Sequence, residues 1–223
     1  MRTKTLVAAA AFVAAGIASS MAQSNVYSLN VVGYVNKTFD AGLYTLVSSP
    51  LMNGGNTLKD LIPTPPDNTI VQRWNVAAQD LDVVVPTYVA GSGNWVPNPV
   101  ILPGEGFFVV NGNPSGTYTN TFVGEVKQGT TTIAIAGNSA YQAIGSPVPI
   151  GGNITNVLAG YVPSDNDILQ IWNVPAQDLD ATVPTYVAAT GLWVPSVNFA
   201  VAEGFFLVRA SAGVNWVRNF TVQ

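Results

Sequence analysis

The feature that most constrains this chain is that it contains itself twice. Residues 67–97 align without a gap on residues 165–195 at an offset of 98, and 22 of the 31 aligned positions are identical. A repeat this close implies one fold used twice, and overlooking it would misassign every element around it. The shared text includes Trp74-Asn75-Val76 against Trp172-Asn173-Val174, and Ala78-Gln79-Asp80-Leu81-Asp82 against Ala176-Gln177-Asp178-Leu179-Asp180. It runs on through Pro86-Thr87-Tyr88 and Pro184-Thr185-Tyr186 to Trp95-Val96-Pro97 and Trp193-Val194-Pro195. In the same register, Gly104-Glu105-Gly106-Phe107-Phe108 meets Ala202-Glu203-Gly204-Phe205-Phe206. Upstream the offset is 97, where Tyr44 meets Tyr141 and Ser49-Pro50 meets Ser146-Pro147.

The chain therefore divides into a leader over 1–22, one unit over 23–128 and a second over 129–223. The leader reads as a secretory signal peptide. Arg2 and Lys4 precede an uncharged run from Leu6 to Ala18, and Ser20-Met21-Ala22 offers small residues before a cut ahead of Gln23. That run is too short to span a bilayer, and no later stretch approaches the roughly 20 apolar residues of a membrane helix. The expected product is secreted, with no membrane span in the mature chain. Cleavage would leave 6 basic and 12 acidic residues and no histidine, which argues against a nucleic-acid partner.

Short β-rich runs recur between turn signals: Val26–Val35, Leu43–Val47, Thr69–Trp74, Pro86–Ala90, Trp95–Val96, Gly106–Val110 and Thr117–Val126. Fifteen prolines and 21 glycines leave room for single helical turns near Thr57–Ile62 and Ile154–Leu158 and for little else. The predicted fold class is all-β: two tandem homologous units, each a small antiparallel sandwich or barrel. Adjacent residues of a strand face opposite ways. One member of each pair Phe107-Phe108 and Phe205-Phe206 is thus expected in its own core, and the other against a second surface, for which the neighbouring unit is a candidate.

Val31-Val32-Gly33-Tyr34-Val35, the strand into Ser49-Pro50 and Pro103-Gly104-Glu105-Gly106-Phe107-Phe108-Val109 together resemble secreted β-rich repeat proteins of Verrucomicrobia-type bacteria. The likeness covers most of the first unit, and the second departs from it with Ala202 in place of glycine. It implies export and a β-rich fold, and it supplies no catalytic residue.

Without histidine or cysteine, Ser-His-Asp and Cys-His catalysis and His/Cys zinc sites are excluded within this chain. Carboxylate chemistry remains, with Glu105 and Glu203 as the best-placed groups. An acid/base pair needs a second carboxylate about 5–10 Å away, and none is identifiable beside Glu105. Each glutamate is expected to close its turn by accepting a local backbone N–H. No catalytic residue is therefore assigned, and an Asp/Glu-dependent glycoside-active enzyme ranks last among the functions considered. Asp80 with Asp82, and Asp178 with Asp180, are the densest acidic groups; they read as hydrogen-bonded loops or as part of a calcium site of six to eight oxygens. Trp74, Tyr88 and Trp95, with Trp172, Tyr186 and Trp193, read either as core anchors or as a stacking platform for sugar rings. The functional expectation is a non-catalytic structural or interaction protein of the envelope or matrix, with a carbohydrate-binding protein as the alternative. The strand over Val26–Val35 is expected either to pair within its own chain or, giving self-association, to fill an incomplete sheet edge at the C-terminus of another copy.

Overall fold

The computed structural model describes residues 31–222. The leader, the start of the strand over Val26–Val35 and Gln223 lie outside the described residues. The first half contains β1 (Val32–Asp40), β2 (Tyr44–Ser48), the helical turn α1 (Leu58–Leu61), β3 (Ile70–Asn75), β4 (Asp80–Leu81), β5 (Thr87–Val89), β6 (Asn94–Val96), β7 (Gly106–Val110) and β8 (Thr117–Glu125). The second half contains β9 (Gly129–Ile135), β10 (Tyr141–Gly145), β11 (Gly152–Asn153), the helical turn α2 (Ile154–Val157), β12 (Ile168–Gln170), β13 (Trp172–Asn173) and β14 (Asp178–Leu179). It continues with β15 (Thr185–Val187), β16 (Leu192–Val194), β17 (Asn198–Phe199), β18 (Gly204–Val208) and β19 (Val214–Phe220). The fold is all-β, and among the described residues neither helical stretch exceeds four residues.

Each half is a strongly antiparallel sheet covered by a two-stranded ribbon. The sheets run β2-β7-β3-β5-β6 and β10-β18-β12-β15-β16, the same order taken from corresponding segments. The ribbons are β1 with β8, in register from Val32↔Glu125 to Asp40↔Thr117, and β9 with β19, from Gly129↔Phe220 to Ile135↔Val214. Alternation decides which ribbon face is covered. Along β8, Asn120, Phe122 and Gly124 turn inward while Thr119, Thr121 and Val123 face solvent. Gly124 is needed because a Cβ there would lie 2.3 Å from the Met52 carbonyl oxygen, and the Met52 and Glu125 backbones exchange hydrogen bonds of 2.9 and 2.7 Å at that crossing. The turn α1 begins with a capping box: Asp60 N–H reaches the Thr57 hydroxyl and the Asp60 carboxylate accepts from Thr57 N–H.

Two cores result. Phe39, Phe107 and Phe122 fill the first with Leu51, Leu58 and Trp95, whereas the second is built on Trp216, Phe205 and Leu207 with Ile154 and Trp193. A third apolar cluster joins the halves, with Leu46 and Phe108 of the first packed on Ala143 and Phe206 of the second. Each Phe-Phe pair thus has one ring in its own core and one across the junction.

The strand over Val26–Val35 bears on self-association. From Val32 onward it pairs within its own chain as β1, and β19 at the other terminus is fully paired to β9. The strand offered as donor thus has an intrachain partner from Val32 onward, and β19 is paired along one side by β9; each ribbon is two-stranded among the described residues.

Candidate functional site

The junction is built by reciprocal contacts. The Trp74 indole N–H donates to the Tyr141 carbonyl at 2.8 Å, and that of Trp172 donates to the Tyr44 carbonyl at 2.8 Å. Gln177 Oε1 accepts from Tyr44 N–H at 2.8 Å while its Nε2 donates back to the Tyr44 carbonyl at 3.1 Å. Gln79 does the same to Tyr141, at 2.7 and 3.2 Å. Each glutamine amide thus acts as a one-residue strand partner for the edge strand, β2 or β10, of the opposite half, satisfying backbone groups that would otherwise be open. Ser48 N–H donates to the Ala202 carbonyl and Gly145 N–H to the Gly104 carbonyl, at 3.2 and 3.1 Å. Trp74 lies edge-to-face on Phe206 and Trp172 on Phe108, both at 5.0 Å between ring centroids. Residue i of one half meets residue j of the other, and j meets i: this is the pattern of an isologous two-fold interface, contained in one chain.

The loop that delivers these groups is set locally. The Asn75 side chain accepts from the N–H groups of Ala77 and Ala78, turning the chain back, and Gln79 then takes a left-handed conformation with φ 55°. Asn173 accepts from Ala176 N–H in the same way, and Gln177 has φ 53°. The short ladders β3–β4 and β13–β14 follow, pairing Trp74 with Leu81 and Trp172 with Leu179.

Between the two loops opens a cleft of about 830 Å³. Its apolar floor is made by the ring pairs Tyr44 and Tyr141, Trp74 and Trp172, and Phe108 and Phe206. Leu81 and Leu179 add to the walls, Gln79 and Gln177 stand beside their carbonyl partners, and Asp80 and Asp178 are the charged residues of the lining. Among the described residues, twelve of the thirteen that line it are six matched pairs, Ser139 being the thirteenth. Concave, aromatic-lined clefts with a few polar groups are the usual form of a ligand site.

The six aromatic residues singled out from sequence are divided by the structure. Trp74 and Trp172 are half-buried and line the cleft. Tyr88 and Trp95 are buried against each other at 5.7 Å, with the Trp95 indole N–H donating to the Ile62 carbonyl at 2.8 Å. Trp193 is buried likewise beside half-buried Tyr186, at 5.5 Å. A common stacking platform of six rings is therefore not formed: four anchor the sheets and two serve the cleft.

The acidic pairs are engaged in local turns. Asp80 Oδ1 accepts from Leu81 N–H and Asp178 Oδ1 from Leu179 N–H, both at 2.7 Å. Asp82 accepts from Val84 N–H, and Asp180 accepts from Thr182 N–H and from the Asn173 amide. The Thr182 N–H is the main reason that the Asp180 carboxyl sits below its ordinary pKa. Among the described residues no three acidic groups converge as a metal site. Glu105 accepts from Leu102 N–H at 3.3 Å and pairs with Arg73 at 2.6 Å, whereas Glu203 accepts from Ala200 N–H at 2.7 Å. Both glutamates close turns that lean on the opposite half, through bridges Glu105↔Ile144 and Glu203↔Val47.

The cleft residues missed in sequence are Gln79, Gln177, Tyr44, Tyr141, Phe108 and Phe206 as a set. A signal existed: Gln79-Asp80-Leu81 recurs unchanged in a polar, exposed loop, where a solvated turn places no demand on identity. Comparison with protein-family models, with curated proteins and with solved structures gives no match to this chain.

Proposed function

We propose that this chain is an exported, non-catalytic interaction protein that holds carbohydrate in the cleft between its halves. The observation that carries the reading is the cleft itself, an aromatic floor flanked by carboxylates that keep free oxygen capacity. Ring faces of sugars stack on such floors, and their hydroxyls need acceptors at the walls. The absence of histidine and cysteine from the sequence, and the use of Glu105 and Glu203 in turns, support binding without turnover.

Retention on a panel of insoluble polysaccharides tests the reading, with the wild type compared to a Tyr44→Ala/Tyr141→Ala double variant. The wild type is expected to be retained on at least one polysaccharide, and the double variant to be lost from it while keeping a cooperative melt. Failure of the wild type to bind any member of the panel, together with no shift in melting temperature from soluble oligosaccharides, would overturn the proposal.

A further inference from the structure

The charge of the cleft narrows its ligand. Asp80 and Asp178 are exposed, and among the described residues they are the charged ones of the lining, with no lysine or arginine beside them there. Each carboxylate uses Oδ1 on the next residue's N–H and has no ion-pair partner among the described residues. The cations among the described residues stand elsewhere, Lys37 being half-buried and near Glu203. Arg73 pairs with Glu105, Arg209 with Asp167, Lys59 reaches the carbonyls of Pro63 and Gly93, and Arg218 those of Asn156 and Ala159. Lys127 lines a different, smaller hollow beside Glu105. The floor adds to the same sign, since the faces of Trp and Tyr rings are the negative ends of their quadrupoles and attract cations. An anionic ligand would meet two carboxylates and six aromatic rings with no compensating donor of positive charge.

We propose that the cleft selects oligosaccharides bearing free amino groups over neutral ones and rejects uronic-acid oligomers, with one ammonium set against each of Asp80 and Asp178. This rests on the carbohydrate reading above and adds the sign of the ligand's charge to it. The two-fold arrangement makes the sites equivalent: a ligand with amines on separate rings engages both, and a monomer engages one at a time.

The test uses the full mature chain and three oligosaccharides of equal length at pH 6: a glucosamine oligomer, its N-acetylated form and a galacturonate oligomer, measured by calorimetry or tryptophan fluorescence. The glucosamine oligomer is expected to bind most tightly and the galacturonate not measurably. Because the carboxylates are exposed, Asp80→Asn and Asp178→Asn should each weaken glucosamine-oligomer binding about two- to fivefold, by similar factors. The double variant should bind the glucosamine and N-acetylated oligomers alike, and added salt should erode the wild-type preference. Binding of galacturonate as tightly as glucosamine, or unchanged selectivity in the double variant, overturns the charge assignment and leaves the carbohydrate reading standing. Failure of all three oligomers, with the polysaccharide panel also negative, removes both.

Discussion

If the junction is a two-fold interface, equivalent truncations on its two sides must cost the same. Trp172→Ala removes a half-buried ring, an N–H bonded to the Tyr44 carbonyl at 2.8 Å and an edge-to-face contact with Phe108 at 5.0 Å. The hydrogen bond contributes about 1 kcal/mol net, and the ring pair about 0.5–1.5 kcal/mol beyond area burial. A fully buried tryptophan would lose about 3–5 kcal/mol on truncation. With the ring half-buried and the Tyr44 carbonyl still holding Gln177 at 3.1 Å, the expected loss is about 2–3 kcal/mol. For a chain of this size that lowers the melting temperature by roughly 4–12 °C. Trp74→Ala should match it within about 0.5 kcal/mol, and Trp95→Ala, at 3% exposure, should exceed both. The two interface rings touch one continuous cluster, so the double variant should fall short of the sum of the singles. Urea denaturation followed by far-UV circular dichroism reads all four variants. A loss of less than about 0.5 kcal/mol for one tryptophan beside about 3 kcal/mol for the other would refute the reciprocal interface.

Two further outcomes follow from close approach and from burial. A Cβ on Gly106 would lie 2.6 Å from the Ala143 carbonyl carbon and 2.7 Å from Ile144 N, whereas on Gly204 it would meet Leu46 Cγ at 2.9 Å and Val47 backbone atoms at 3.0 Å. Gly106→Ala should therefore destabilise by about 1–3 kcal/mol and Gly204→Ala by less, and thermal melts showing the reverse order would count against the tighter contact assigned to Gly106. Burial is the main cause that pushes the Tyr161 hydroxyl well above its usual pKa, reinforced by its bond to Asp167, and burial raises Tyr118 to about 12. A tyrosine whose folded pKa is raised leaves stability unaffected below the unfolded value near 10 and lowers it above that. Stability should hold up to about pH 10 and then fall, with a shallower fall in Tyr161→Phe; denaturant midpoints flat from pH 9 to 12 would contradict this.

The strands were legible because apolar alternation and turn chemistry are local signals, and the repeat doubled each of them; their order in the sheets, β2-β7-β3-β5-β6 and β10-β18-β12-β15-β16, was not. Ribbon partners were not legible. Val26–Val35 reads as an intrachain strand or as an edge donor, and the placement of Thr117–Glu125 opposite it gives β1 its partner within the chain. The cleft was half legible. Trp74 and Trp95 look alike in sequence, each beside a valine or asparagine in a short strand, yet one lines a cleft and the other is sealed under Ile62. What separates them is a contact nearly 70 residues away, the Tyr141 carbonyl, and no local pattern encodes it. The Ala202 departure was visible, but its meaning was not: Ala202 occupies φ 63° where Gly104 occupies φ 87°, so the second half keeps the left-handed turn with a residue that favours it less.

The two halves differ chemically in places that do not line the cleft. In the second, Asp167 is fully buried and accepts from Tyr161, Ser164 N–H and Ala210 N–H, and Arg209 pairs with it at 3.2 Å. In the first, Thr69 and Asn111 fill the equivalent positions and bond Gly112 N–H and the Phe39 carbonyl without charge. Core changes of this kind can be compensated within one half, since every partner lies in it. The lining residues Trp74, Gln79, Trp172 and Gln177 have no such freedom, because each is carried by one half and bonded to the other. Behind the cleft the symmetry is already relaxed: Glu105 pairs with Arg73, while Glu203 faces the half-buried Lys37, whose pKa burial lowers and Glu203 partly restores. Within the lining itself the matched pairs are broken at Ser139 alone. Its counterpart 97 residues earlier is Gly42, and both take left-handed conformations, φ 61° and 69°. The backbone at the two rims is therefore alike, and a single hydroxyl marks one of them. On the proposed carbohydrate reading, a directional oligosaccharide lying across the two-fold would find equal floors and equal carboxylates in either orientation, and Ser139 is the described lining residue that would make the two orientations differ.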